Sequence, residues 1–160
     1  MITSKQDPNT DTQQHAYVLR DGEEDAPEGL TRALTIGNRV QDILMSAFVA
    51  ERTGNEILRR SLAEARRQGI DATIYTHPLG FHGHAAGPTI GLWDQQGGVP
   101  GTGDYPLHAD TAYSIELSAA VPIPEWNDMV VRIMLEEDAF FDGAACAFMD
   151  GRQTAFHLIP

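Results

Sequence analysis

The chain has 160 residues, 42% of them hydrophobic and 21% charged, with a mean hydropathy of −0.27, which is typical of globular proteins and excludes disordered and fibrous classes. Lys and Arg number 11 against 23 Asp and Glu, so the net charge is −12 and neither nucleic acid nor an anionic membrane surface is expected as a partner. Cys146 is the single cysteine and no apolar run reaches the length of a membrane span, so a cytoplasmic location without disulfides is expected.

Two helices are predicted in the first half of the chain. Residues 21–27 are acidic and end in proline, which predicts a loop that enters a helix. An apolar stripe at helical spacing predicts an amphipathic helix over residues 30–51. Thr53 and Glu56 have the spacing of a capping box and predict a second helix over residues 55–68.

Strands and a long loop are predicted in the second half. Apolar and polar residues alternate from residue 70 to 75, and further strands are expected at residues 111–119, 127–138 and 145–149. Between the first two strands lies a loop rich in glycine and proline, and loops of that length are often functional. This order of elements predicts an α+β fold with antiparallel strands.

Three histidines of this loop, His77, His82 and His84, fall within eight residues. Each one alone is most simply a surface or hydrogen-bonded histidine. Together they indicate a metal site, because imidazole is the commonest metal-ligating side chain.

Three glutamates on the later strands add carboxylates to this set. Alternation places Glu116 on the polar face of its strand and sends Glu136 and Glu137 to opposite faces of an apolar run. If that run is buried, at least one of the pair must be hydrogen-bonded, protonated or bound to a metal. Histidine with carboxylates from neighbouring strands is the ligand set expected of a divalent-metal hydrolase.

The sequence GHAAG at residues 83–87, YSIEL around Glu116 and LEEDAFF around Glu136 resemble, in this order, the ligand motifs of the pita-bread metallopeptidases. This family includes methionine aminopeptidase, Xaa-Pro aminopeptidase, prolidase and creatinase. The longer strings DTQQHAYVLRDGEEDAP, YTHPLGFHGHAAGPTIGLWDQ and DGRQTAFHL look closest to bacterial Xaa-Pro-peptidase-like members, from Thr10 to the end of the chain.

The resemblance implies a pita-bread fold, in which helices pack on a curved, mostly antiparallel sheet. It implies that residues 1–160 are a single domain, the C-terminal portion of a metallopeptidase catalytic domain, and residues 1–10 are expected to be flexible. A homodimer is compatible with the resemblance.

The family uses five metal ligands in the order Asp, Asp, His, Glu, Glu, which together hold two divalent ions. By this resemblance Asp11 is the second Asp, His84 the His, and Glu116 and Glu136 the glutamates. The first Asp has no counterpart here, since Asp7 is too close to Asp11. Manganese, cobalt, zinc and iron all suit such a site.

The resemblance implies an aminopeptidase or dipeptidase-like hydrolase that acts near peptide N-termini, Xaa-Pro bonds included, through a metal-bridging hydroxide. Glu116 would pass the proton, and His82 or His77 would polarise the carbonyl, with His82 preferred because His-x-His places both rings on one side of an extended segment. Because one ligand has no counterpart, activity is left open. The alternatives are a catalytically inactive, truncated pita-bread module or binding domain, and a single zinc site on His82 and His84 with one carboxylate.

Overall fold

A computed structural model of the chain describes residues 11–81 and 83–160. The predicted flexibility of residues 1–10 and the predicted catalytic role of His82 lie outside these residues. The helices are α1 (Glu28–Ser46) and α2 (Gly54–Arg67). The strands are β1 (Ala16–Val18), β2 (Asp71–Ile74), β3 (His77–Pro78), β4 (Thr111–Ile123), β5 (Met129–Phe141), β6 (Cys146–Phe148) and β7 (His157–Ile159). In the described part of the chain, neither helix is both long and apolar enough to cross a membrane.

The main sheet is antiparallel and has the strand order β2-β4-β5-β6, with β3 also paired to β4. β4 and β5 pair along their whole length, from Thr111 opposite Phe141 to Ile123 opposite Met129. The prediction that the two long strands belong to one sheet is therefore confirmed. A separate parallel pair, β1 with β7, joins the two ends of the described chain and was not predicted.

The helices pack on one face of the main sheet and bury its apolar residues. Tyr113, Ile115 and Leu117 of β4 are fully buried and belong to one core cluster with residues of both helices. These are the alternate residues that the period of two assigns to the core face. The intervening side chains of β4 therefore point to the opposite face of the sheet.

Gly37 lets α1 approach β5 closely. A Cβ atom at this position would lie 2.9 Å from Cγ2 of Ile133 and 3.0 Å from Cδ1 of Leu135, which is too close for an unshifted side chain. The backbone of α1 thus rests directly on the side chains of the sheet.

The end of α1 differs from the prediction of a helix over residues 30–51. The helix ends at Ser46, and Ala47 and Phe48 continue the apolar stripe from a turn in which Phe48 N donates to Met45 O at 3.2 Å. The chain then reverses at Glu51, which has a φ of 65°. The apolar spacing persists past the helix because these two side chains still fill the core.

The start of β5 also differs from the predicted residue 127. Asn127 and Asp128 have φ angles of 55° and 58° and form the turn after β4, so the strand begins at Met129. The capping box of α2 is confirmed, since Thr53 N donates to Glu56 Oε2 at 2.9 Å and Glu56 N donates to Thr53 Oγ1 at 3.2 Å.

Candidate metal centre

Two glutamates of neighbouring strands stand side by side on the sheet face that points away from the helices. Glu116 of β4 lies directly opposite Glu136 of β5 in the antiparallel register. Directly opposed residues place their Cβ atoms about 4.5–5.5 Å apart on the same face. Like charges in this position repel, so the pair is unfavourable unless a proton or a cation lies between the carboxylates.

His77 adds an imidazole to this pair. On β3 it lies opposite Ser114, which shares a face with Glu116, and its side chain is only 12% exposed. Its Nε2 lies 3.8 Å from Glu116 Oε2 and 3.7 Å from Asp11 Oδ2, while its Nδ1 lies 3.1 Å from Pro78 O. The ring therefore faces two carboxylates from different parts of the chain.

His84 reaches the same place from the loop. Gly83, with a φ of 84°, forms a turn in which its N donates to Gly80 O at 3.0 Å, and Ala85 N then donates to Pro78 O at 2.9 Å. This folds the loop back onto β3. The ring of His84 consequently stacks on that of His77, with centroids 4.0 Å apart and planes 16° from parallel.

Asp11 is held at the edge of β5 by backbone hydrogen bonds. Gln13 N donates to Glu136 O at 2.8 Å, and Glu136 N donates to Gln13 O at 3.2 Å. Asp11 N donates to the Asp138 carboxylate at 3.1 Å. Because residues 11–13 run beside β5 in this way, the side chain of Asp11 points toward His77.

The two opposed glutamates of this cluster have raised pKa values. Burial, followed by the charges of Glu136 and Asp11, raises the pKa of Glu116 to about 7. Burial also raises the pKa of Glu136, with Asp11 and Asp138 adding to the rise, although a hydrogen bond that Ser114 Oγ donates at 2.7 Å lowers it. Among the described residues, no Lys or Arg forms an ion pair or hydrogen bond with Glu116, Glu136 or Asp11. Lys and Arg side chains of the described chain therefore do not neutralise this cluster.

Two side chains hold the long loop after β3 in position. Each forms a pair of hydrogen bonds with a backbone N–H and a backbone carbonyl, as a neighbouring strand would. Asn55 of α2 donates to Val99 O at 3.1 Å and accepts from Val99 N at 2.7 Å. Gln96 accepts from Ile74 N at 2.9 Å and donates to Ile74 O at 2.7 Å. The loop that carries His84 is thus anchored to both α2 and β2.

A cavity of about 730 Å³ opens beside the cluster. It reaches from His77, His84 and Glu116 to Arg132, and Trp93 lies at its rim with 76% of its surface exposed. The other lining residues are Thr73, Tyr75, Thr89, Leu92, Ser118 and Met134. The donor cluster therefore forms one end of a cavity with apolar and aromatic walls.

The donors fit a divalent cation. Two overlapping groups, Asp11 with His77 and His84, and His77 with Glu116 and Glu136, each offer ligand atoms that all lie within 4.8 Å of one another. Imidazole nitrogen and carboxylate oxygen suit manganese, cobalt, zinc and iron. A cation would also relieve the repulsion between the carboxylates.

The structure brings the predicted metal ligands Asp11, His84, Glu116 and Glu136 into one neighbourhood, and their role as ligands stays a prediction. His77, predicted to be catalytic, lies in the centre of this set and belongs to both donor groups. His82 lies outside the described residues.

Several neighbours of the cluster were not among the predicted site residues. Ser114 and Asp138 share their alternation with Glu116 and Glu136, and this signal alone places them on the same face. The same alternation along β5 places Arg132 and Met134 on this face. Trp93 has no such signal, because it lies in an irregular loop.

Helices packed on one face of an antiparallel sheet are the arrangement of the pita-bread fold. The chain has this fold. An Xaa-Pro aminopeptidase from Thermotoga maritima aligns with a TM-score of 0.59 and 16% identity, over 84% of this chain and 35% of its own. A dipeptidase from Pyrococcus horikoshii aligns with a TM-score of 0.62 and 16% identity, over 94% of this chain and 37% of its own.

The same fold occurs in the N-terminal domain of the FACT complex subunit SPT16 from chickpea, with a TM-score of 0.58, 8% identity, and coverage of 81% of this chain and 30% of that one. The chain thus spans about a third of the length of these structures. No protein-family model and no curated protein sequence matches it. Fold alone does not define function, which depends on the residues of the site.

Proposed function

We propose that this chain binds divalent metal through Asp11, His84, Glu116 and Glu136 and hydrolyses peptide bonds near peptide N-termini. The observation that carries the proposal is the convergence of these donors with His77 in one cluster beside a cavity. Buried carboxylates that face one another without a basic partner are unfavourable unless they share a cation or protons.

The proposed chemistry assigns separate tasks to the residues of the cluster. A divalent ion, when bound, polarises a carbonyl oxygen and lowers the pKa of a water. Glu116 lines the cavity, and its carboxylate would take a proton and pass it on. Ser114 orients Glu136 by donating to Oε1.

The cavity supports a short peptide as substrate. Its volume of about 730 Å³ lies within the range of roughly 300–1,000 Å³ that small-ligand sites occupy. Arg132 lies on its wall and donates to Ser118 Oγ at 3.0 Å, which leaves its other N–H groups available for a substrate carboxylate. The bonds proposed to be cleaved include Xaa-Pro bonds. A cytoplasmic location is also part of the proposal, because a single cysteine suits a reducing compartment.

A second candidate function is a metal-binding or interaction module without peptidase activity. One observation favours it: the fold also occurs in the N-terminal domain of a FACT complex subunit. In this case the metal would stabilise the sheet face rather than support a reaction.

The test measures metal content and peptide cleavage on the same protein. The purified chain is stripped with a chelator, equilibrated with Mn²⁺, Co²⁺ or Zn²⁺, and incubated with short Xaa-Pro and non-proline peptides whose products are quantified by mass spectrometry. We expect release of the N-terminal residue only with metal, and loss of this activity in Glu116→Gln. Glu51→Gln is the matched control, since Glu51 is 75% exposed and lies outside the donor groups.

Each outcome separates the candidates. Cleavage that needs metal and Glu116 supports the peptidase. Metal binding without cleavage of any peptide supports the second candidate. Absence of metal binding by the unmodified chain contradicts both.

A further inference from the structure

We infer that Nε2 of His77 is itself a metal ligand, and that the most tightly held ion is the one that includes it. The inference rests on the proposed function, because it names a further ligand of that site. His77 belongs to both groups, whereas each of the other four donors belongs to one.

The hydrogen bond at the other ring nitrogen leaves Nε2 free to coordinate. Nδ1 of His77 lies 3.1 Å from the carbonyl oxygen of Pro78. A carbonyl oxygen only accepts, so Nδ1 is the nitrogen that carries the proton in this bond, and in the neutral ring Nε2 has the lone pair. A histidine that binds metal usually donates its other N–H to a carbonyl or carboxylate in the same way.

The surroundings of Nε2 fit a cation better than a hydrogen bond. The oxygens of Asp11 and Glu116 lie 3.7 and 3.8 Å away, beyond hydrogen-bond distance. Zinc–ligand distances are about 2.0–2.2 Å, so two ligands of one ion lie up to about 4 Å apart. An ion bound to Nε2 could therefore take a second ligand from Asp11, in one donor group, or from Glu116, in the other.

The backbone fixes His77 relative to the glutamates. Oγ1 of the preceding Thr76 donates to Glu116 O and accepts from Glu116 N, both at 3.0 Å. His77 itself is paired with Ser114 across the β3–β4 ladder. Its ring is further constrained by stacking on His84. Ligands held on strands in this way are more precisely placed than ligands on loops.

The experiment measures metal affinity on the whole chain. Equilibrium dialysis with Co²⁺ and Mn²⁺ gives the dissociation constant of the unmodified protein, His77→Ala, His77→Asn and His84→Ala. The matched control is His108→Ala, because His108 is 68% exposed and belongs to neither donor group. Circular dichroism of the metal-free proteins checks that each variant is folded.

We expect both His77 variants to bind the first equivalent at least about 100-fold more weakly, since loss of a second-shell partner alone typically weakens binding about 10- to 100-fold. His108→Ala should bind like the unmodified protein. In the Co²⁺-loaded unmodified protein, the Nδ1 proton of His77 should give a paramagnetically shifted signal that disappears in His77→Asn.

A measurement on the unmodified protein covers the case in which the variants do not fold. With histidines labelled with ¹⁵N, Zn²⁺ should shift the Nε2 resonance of His77 and leave that of His108 in place. An unshifted Nε2 of His77 in the Zn²⁺-loaded protein overturns the inference, as does wild-type affinity in a folded His77→Asn. In both cases the proposed function stands. If the unmodified chain binds no metal, the proposed function fails, and the inference fails with it.

Discussion

Glu136 and Glu137 are consecutive residues of β5, both are buried, and they face opposite sides of the sheet. Glu137 lies on the helix side, where Oε1 accepts from Gln14 Nε2 and from Gln153 N, both at 2.9 Å. Glu136 lies on the cavity side, where it accepts from Ser114 and faces the carboxylate of Glu116.

The partners distinguish the two sites more clearly than burial does. Neutral donors surround Glu137, so its carboxylate is satisfied as a structural acceptor. Glu136 has one such donor and is otherwise set among other carboxylates, which raise its pKa together with burial. The same strand thus carries a structural glutamate and a candidate ligand at successive positions, and the helix side and cavity side should respond differently to substitution.

The largest expected effect is on the helix side of the sheet. Leu117 is fully buried there, so Leu117→Ala should lower the free energy of unfolding by about 2–5 kcal/mol through lost burial and a cavity. Metal affinity should be retained in the folded variant, because Leu117 points away from the donors. Leu158→Ala is the control, since Leu158 is 40% exposed and should lose less stability.

Chemical denaturation of the metal-free proteins measures the free energy of unfolding, and dialysis measures the metal affinity. Equal destabilisation by the two leucine variants would show that the helix side is not the core of the domain.

The next effect separates the two glutamates. Glu136→Gln should weaken metal binding by at least about 100-fold, more than loss of a second-shell partner does, and leave stability without metal unchanged or increased. Glu137→Gln should keep the metal affinity and lower stability by about 1–3 kcal/mol, since charged acceptors make the stronger hydrogen bonds.

Dialysis and urea denaturation of both variants measure these quantities. The reverse pattern, with metal lost in Glu137→Gln alone, would exchange the structural and ligand roles.

The two sides also differ in how much of them can be predicted from sequence. The capping box of Thr53 and Glu56 is local, and its side chains bond over three positions. Alternation is local too, and it separates Glu136 from Glu137 correctly. The buried residues on the helix side of the sheet can be predicted from such patterns, because apolar residues recur at regular intervals along each helix and strand.

The cavity side depends on contacts between distant segments. β3 has only two residues, too few for a periodic signal, and its pairing with β4 places His77 beside Glu116. Gln96 takes the position of a strand partner for Ile74 with its side chain, which no propensity indicates. The histidines were therefore identified as candidates, and their order of importance could not be derived from spacing.

The pH dependence of stability tests the repulsion on the cavity side. The pKa of Glu116 is raised from 4.5 to about 7 in the folded protein, so the folded state binds this proton more tightly than the unfolded state. Ionised Glu116 therefore lowers stability above pH 7, and this penalty disappears as the pH falls toward 4.5. Metal-free Glu116→Gln, which cannot ionise, should be more stable than the unmodified protein by about 1–3 kcal/mol at pH 8.

The difference between the two proteins should vanish near pH 4.5, and saturating metal at pH 8 should reverse its sign. Denaturation curves at several pH values, with and without metal, measure this. A difference that is independent of pH would show that the Glu116 charge is not destabilising.

The smallest expected effect concerns Arg132, a cationic residue on the cavity side that contacts Ser118 rather than the carboxylates. If it binds the carboxylate of a short peptide, Arg132→Met should raise KM about 3- to 10-fold, because an exposed charge pair contributes only about 1 kcal/mol. The kcat value and the metal affinity should not change, since Arg132 is not hydrogen-bonded to any of the donors. The comparison uses each peptide with a free and with an amidated C-terminus. Only the free acid should lose affinity, and an equal rise in KM for both forms would place the substrate carboxylate elsewhere in the cavity.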